Sequence, residues 1–268
     1  MYTEFYKLKM PAFRKTPDPE FFFWTEQYEE AYTRLQYAVE EKELALLTGE
    51  IGTGKTLLVR TLMDRLNEDE YDIALILNPQ LSPTQFVKAV AREFKVDSPA
   101  YFKSDLYIQI QEFLFEKYEE DVNPILIIDE AQLIPSKKVF DEIRVLSNFQ
   151  MDDENLIGII MVGQPEIVRR LKHRAYKPFT QRIGVEYHLS PLSEKEVKSY
   201  IKFRLEKAGA KWEIFTDKAI EKIYELSGGI PRVINHIATQ ALLEGAAREK
   251  KVIDETIIEE VSKSMRFL

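Results

Sequence analysis

Five short apolar runs, separated by helix-patterned stretches, set what this chain can fold into: "ELALLTG" from Glu43, "YDIALIL" from Tyr71, "NPILIID" from Asn123, "NLIGIIMVG" from Asn155 and "GVEYHLS" from Gly184. Runs that are apolar at almost every position suit strands covered on both faces. Their alternation with helices suits a parallel sheet, because parallel strands need crossover connections. The expected fold class is α/β: a five-stranded parallel sheet flanked by helices, followed by a small all-α domain.

The helical stretches carry their own punctuation. "TEQYEEAYTRLQYAVEE" spaces Tyr28, Ala31, Leu35 and Ala38 on one face, with Thr25 as N-cap. After Pro191 no further strand is expected. Four helices follow instead, opened by Ser193, Thr216, Pro231 and Asp254. Met1 to Glu20, with Pro11, Pro17 and Pro19, reads as an extended arm rather than a helix. The expected organisation is an arm over residues 1–24, a nucleotide-binding α/β domain over 25–191 and a helical lid over 192–268. The charged stretch Asn67 to Asp72 reads as a solvated turn.

Directly after the first apolar run stands Gly49-Glu50-Ile51-Gly52-Thr53-Gly54-Lys55-Thr56, a complete G-x-x-x-x-G-K-[ST] match that precedes a helix-patterned stretch. Glycines let the backbone turn its amides inward around phosphate oxygens, and the helix N-terminus adds partial positive charge. In that chemistry Lys55 reaches the β- and γ-phosphates and the Thr56 hydroxyl binds Mg²⁺. "PILIIDEAQ" supplies the complement. Asp129 ends an apolar strand where it can meet the metal, and Glu130 follows as the group that orients or deprotonates water. Gln132 is placed to relay hydrogen bonds to the neighbouring strand.

Gln164, in "MVGQPE", is the first side chain after the next strand, either a group facing phosphate or water or a turn residue before Pro165. Arg182, in "FTQRIGVEY", precedes the fifth strand at a sheet edge, from which it can point out of its own subunit. Arg232, in "SGGIPRVIN", opens a helix after a tight turn. Both arginines are candidates for charge stabilisation in turnover, and each has a surface-cation alternative.

"VRRLKHRAYK" concentrates Arg169, Arg170, Lys172, His173, Arg174 and Lys177. A nucleic-acid patch, an intersubunit surface and a plain solvated helix all fit such a segment. His173, His188 and His236 lack metal-ligand spacing. Phe21, Phe22, Phe23, Trp24 and Tyr28 are able to stack on a base, with core packing as the default. The net charge of -8 over 268 residues argues against a protein whose whole surface coats DNA. There are no cysteines, so thiolate metal sites and disulfides are excluded. With no signal-peptide core and no run of ~18 apolar residues, the expected location is the cytoplasm.

Taken together, "MYTEFYKLKMPAF…TPDPEFFF", "LTGEIGTGKT", "LIIDEAQ", "IIMVGQPE", "QRIGVEYHLSPLSEKEVKSYIKFRL" and "LSGGIPRVIN" resemble, in order and spacing, AAA+ ATPases of the general secretion pathway protein A (ExeA-type) branch. The resemblance implies a P-loop NTPase fold with a helical lid, ATP and Mg²⁺ as cofactors, and ATP bound between subunits of a homo-oligomer. It assigns residues Gly49 to Leu57 to the nucleotide, Thr56 and Asp129 to the metal and Glu130 to the water. Gln164 takes the sensor position, Arg232 the lid arginine and Arg182 the finger region. In that branch the ATPase is followed by a membrane helix and a peptidoglycan-binding domain. The expectation here is the ATPase part alone, or a stand-alone relative.

The implied function is an ATPase whose nucleotide-dependent oligomerisation, as ring or filament, drives assembly of a secretion, pilus or envelope machine through a membrane partner. That partner would recruit it to the inner membrane. The alternative is a DNA-binding AAA+ regulator of transposition, for which the basic segment is the best argument.

Overall fold

The computed structural model describes residues 2–14, 21–96, 102–151 and 154–265. Pro17 and Pro19 of the arm lie outside them. By contacts the chain divides into two units, one comprising 26–49 with 58–189 and the other 1–25, 50–57 and 190–268.

The first unit is built on a sheet whose strands are β1 (Leu44–Gly49), β2 (Tyr71–Ile76), β3 (Asn123–Ile128), β4 (Gly158–Gly163) and β5 (Ile183–Leu189), in the order β2-β3-β4-β1-β5. All pairings are parallel. Every residue of β1 and β4 is buried, as their unbroken apolar sequence requires of central strands. At the edges the pattern loosens. In β5 Val185 and Leu189 are buried while Gly184, Glu186 and His188 are exposed, the period-two alternation of a strand with one covered face.

Helices cover the sheet where the periodicity puts them. α2 (Glu26–Glu40) buries Tyr28, Ala31, Leu35 and Ala38, the four positions expected from spacing. Past α3 (Lys55–Met63), α4 (Pro83–Glu93) starts with a full capping box between Ser82 and Gln85 and buries Phe86, Val87 and Val90. Next come α5 (Lys103–Glu119), α6 (Lys137–Leu146), α7 (Pro165–Leu171) and the short α8 (Lys177–Thr180). The run from Asn155 is not one strand. Asn155 pairs back with Gln150 in a short antiparallel pair, and the sheet strand begins at Gly158.

The second unit holds α9 (Glu194–Lys207), α10 (Asp217–Ser227), α11 (Pro231–Ala247) and α12 (Glu255–Ser264). Ser193, Thr216 and Asp254 each accept a backbone N–H from the first turn, as their residue types predict. Pro231 occupies the first turn of α11 without a side-chain cap. Among the described residues no strand follows β5, as expected, and Phe215 and Ile253 make an isolated parallel bridge.

The extended-arm expectation is corrected at its start: Tyr2–Phe5 form a short helix, α1. Tertiary burial overrides local preference there. Tyr6 is completely buried and its hydroxyl donates to the Lys250 carbonyl at 2.9 Å. Burial pushes that hydroxyl up to about 12, so it remains a donor across the working pH range. Further along, Ala12 and Phe13 are buried, and the Thr239 hydroxyl donates to the Phe13 carbonyl.

Arg204 of α9, only 5% exposed, ties the arm down. Its guanidinium donates to the carbonyls of Ala12 at 2.8 Å and Phe21 at 3.4 Å and lies over the rings of Phe21 and Tyr200. Hydrogen bonds from a charged donor are worth about 1.5–3 kcal/mol each, and removing one partner leaves the other carbonyl desolvated. Arg204→Ala should therefore destabilise the helical unit by about 2–4 kcal/mol. Thermal unfolding followed by circular dichroism checks this; an unchanged midpoint would mean that the arm is held by its apolar residues alone.

Candidate nucleotide site

The loop after β1 is organised around one acceptor. The Glu50 carbonyl receives the Thr53 hydroxyl at 2.9 Å, the Thr53 N–H at 3.3 Å and Lys55 Nζ at 2.8 Å. Thr53 is fully buried and Lys55 nearly so. Gly52 and Gly54 have φ of +88° and +96°, a backbone region that L side chains rarely enter. With these φ values the turn is of the kind that presents successive amides to an anion, and the buried lysine supplies a fixed positive charge. The loop's residues therefore fit a polyphosphate.

The start of α11 packs on this loop. The Arg232 N–H donates to the Gly52 carbonyl at 3.3 Å, and a Cβ built on Gly52 would stand 2.7 Å from Arg232 Cβ and 3.1 Å from Ile230 Cγ2. The Arg232 side chain itself is exposed. Sequence reasoning singled out Arg232 but missed Ile230, because nothing in its spacing announces a contact with a loop so distant in the chain.

At the C-terminal edge of the sheet a second group of residues gathers. Asp129, which directly follows β3, is 8% exposed, and its carboxylate accepts the Glu130 N–H at 2.8 Å. Glu130 takes a left-handed conformation with φ of 51°, an uncommon state for a non-glycine residue. Gln132 bridges the neighbouring strands as its position suggested: its Nε2 donates to Glu130 Oε2 and its Oε1 accepts the Gln164 N–H at 3.0 Å. Gln164 Nε2 also reaches Glu130 Oε2, at 3.4 Å. A Cβ on Gly163 would approach Gln132 Oε1 to 3.2 Å, so the glycine ending β4 gives the bridge room.

A contact that the sequence did not signal sits nearby in the sheet. The Thr48 hydroxyl lies 3.0 Å from His188 Nδ1, one residue before the loop begins. Only the register pairing Thr48 with His188 brings them together.

Arg182 lies elsewhere. It is exposed and directly precedes β5, whose first residue pairs with Leu44 at the start of β1, so it sits at the opposite end of the strands from Asp129 and Gln164. It does not join the strand-end group of its own chain.

The basic segment divides. Arg170 is drawn into packing, with its guanidinium 2.9 Å from the Tyr176 hydroxyl, bonded to the Ile134 carbonyl and lying over Phe140. Arg169, Lys172, His173, Arg174 and Lys177 stay exposed. Of the aromatic cluster, Phe21 and Phe22 are buried and Phe23 packs on Tyr200 and Phe203, the packing default.

A family model described as an AAA domain matches residues 38–171. The chain belongs to the AAA family of ATPases. It is 38% identical over 252 residues to general secretion pathway protein A of Aeromonas hydrophila, a match covering 92% of this chain and 45% of that protein. The resemblance to that branch thus holds across nearly the whole chain, which spans less than half the length of the curated relative. In fold the AAA chain is similar to Cdc6p from Pyrobaculum aerophilum, with TM-score 0.69 and 17% identity over 93% of this chain and 72% of that one. The Aeropyrum pernix ORC1 protein in complex with DNA gives TM-score 0.69 and 16% identity over 96% of this chain and 70% of that one. At such identities these two structures speak to the fold alone.

The packing of α11 on the loop generates a prediction. Gly52→Ala meets both a strained φ and the Arg232 Cβ, so the loop must distort. Nucleotide affinity is expected to fall by at least ~tenfold, which is about 1.4 kcal/mol. Titration with a fluorescent ATP analogue measures it; wild-type affinity would show that the loop tolerates the shift.

Proposed function

We propose that this chain binds ATP with Mg²⁺ and hydrolyses it at subunit interfaces. Its nucleotide-dependent self-association, as ring or filament, would drive assembly of a secretion, pilus or envelope machine through a membrane or envelope partner. The observation that carries the hydrolytic part is the holding of Glu130: both glutamine amides reach the same carboxylate oxygen, Oε2. Among the described residues no bond to Oε1 is made, so that oxygen is available to a water. A carboxylate fixed in this way suits an enzyme that orients an attacking water rather than one that merely holds nucleotide.

In this reading Lys55 binds the β- and γ-phosphates, and the backbone from Gly49 through Glu50, Ile51, Gly52, Thr53 and Gly54 to Leu57 cradles them. Thr56 and Asp129 hold Mg²⁺, which when bound neutralises phosphate charge. Glu130 orients water, Gln164 registers the state of the site through Glu130, and Arg232 responds to the γ-phosphate. Arg182, remote from its own strand-end group, acts on a neighbouring copy. The role in machine assembly, with recruitment from the cytoplasm to the inner membrane, rests on the likeness to general secretion pathway protein A.

Lys55→Ala is expected to abolish nucleotide binding. Glu130→Gln should bind ATP at near wild-type affinity while turnover drops by ~10² or more, leaving a trapped oligomer. Phosphate release and light scattering report the two properties, and normal turnover in Glu130→Gln would remove Glu130 from the mechanism. For Arg182→Ala, turnover should fall by ~10³ with ATP binding kept. Mixing it with Lys55→Ala should restore part of the activity, because intact sites would then meet intact arginines. Full activity of Arg182→Ala alone would reassign the finger.

A second reading, a DNA-binding AAA+ regulator of transposition, is favoured by the exposed cations of the basic segment. Duplex DNA binding in the presence of ATP separates the two. Tight binding that falls steeply with salt would favour the regulator, and its absence would leave the assembly ATPase.

A further inference from the structure

Between Glu166 and Glu186 the chain has no acidic residue, yet it carries Arg169, Arg170, Lys172, Arg174, Lys177 and Arg182, in a protein of net charge -8. Lys172, Arg174 and Lys177 of this concentration line a cleft of about 520 Å³. Its rim is formed by Lys172, His173, Arg174 and Lys177, all exposed, and its floor includes Leu46 of β1 and Leu171 of α7. One lining residue is acidic, Glu186 of β5, and the Glu43 carboxylate lies beside Gly184 of the same lining. None of the residues from Glu50 to Leu57 lines it.

We infer that this cleft binds an organic phosphate of nucleotide size, at a site separate from the phosphate loop. Its volume falls within the ~300–1,000 Å³ usual for small-molecule sites. The cations make it selective for anions, and the guanidinium of Arg174 suits phosphate oxygens in a bidentate fork. The apolar floor asks for more than a bare ion, since it offers contact to a ring or hydrocarbon body and nothing to an inorganic anion. Glu186, the acid on the lining, is suited to accept a hydrogen bond from a hydroxyl or amino group on that body.

The rim is held in place before any ligand arrives. Arg170 ties α7 to the turn that follows through the Tyr176 hydroxyl, and to the segment before α6 through the Ile134 carbonyl. Phe179, buried against Phe140 with ring centroids 5.1 Å apart, anchors the segment just after Lys177. His173 Nδ1 accepts the Ala175 N–H at 3.2 Å, so the ring presents Nε2 as its donor. Cations on such a scaffold lose less freedom on binding than cations on a mobile tail. A duplex backbone would instead call for a basic patch or stripe along one face, and an apolar floor offers its phosphates nothing.

The inference does not depend on the ATPase reading, and the test keeps the two apart. The Lys55→Ala protein is titrated calorimetrically with ADP and with inorganic pyrophosphate, beside Lys55→Ala carrying Lys172→Glu and Arg174→Glu. The single Lys177→Glu change on the Lys55→Ala background provides a milder version should the double reversal unfold, which circular dichroism checks. One saturable ADP site per chain is expected in Lys55→Ala, competed by pyrophosphate, and weakened at least ~tenfold by the charge reversals. No saturable ADP binding in Lys55→Ala, or ADP binding indifferent to the reversals, overturns the inference. Pyrophosphate binding without ADP binding overturns the organic part of it. Salt-steep duplex binding that the reversals abolish, with no ADP site, would make the segment a nucleic-acid surface instead.

Discussion

Parallel pairing of the five strands is the constraint on which the rest depends. Because every strand runs the same way, all the strand C-termini lie along one edge, and the residue that follows each strand is delivered there. The register Thr48 to Gly163 and Ile128 to Met161 aligns the ends of β1, β3 and β4. Asp129 and Gln164 reach the same edge for that reason, though they are far apart in sequence. The same pairing demands crossover helices on both faces, and these produce the apolar core around Phe86, Ile110 and Phe140.

At that edge the structure accepts local strain in exchange for geometry. The left-handed backbone of Glu130 costs on the order of 1–3 kcal/mol. The Asp129 carboxylate on its N–H and the Gln132 amide on its side chain contribute ~1 kcal/mol or more apiece, enough to offset most of the cost. Glycine at 163 leaves room for the arrangement, since a methyl there would press on Gln132 Oε1 at 3.2 Å. Thus one missing side chain on β4 permits a carboxylate beside β3 to be fixed by two amides.

Arginines illustrate how little a charge reveals before its surroundings are known. Arg170 and Arg174 belong to one basic segment, but Arg170 is spent on holding α7 against Tyr176 and Ile134 whereas Arg174 stays exposed. Arg204 sits in a helix dense with charge, yet it is buried among Ala12, Phe21 and Tyr200. The difference comes from which aromatic rings and carbonyls the fold brings alongside, and these belong to segments remote in sequence.

The five strands of the main sheet, their parallel class, the helix starts at Ser193, Thr216 and Asp254, and a glycine turn between β1 and α3 were all legible in the sequence. Each depends on short-range patterns: apolar periodicity, side-chain capping and glycine conformations. The same patterns marked Asp129, Glu130, Gln132 and Gln164 as strand-end residues. Only the tertiary structure decided that the amides of Gln132 and Gln164 converge on one oxygen of Glu130, that Arg182 stands at the far end of the strands, that the arm starts as a helix buried on α11, and that the basic segment borders a cleft. Those outcomes depend on register and long-range packing, and neither is encoded in the spacing of neighbouring residues.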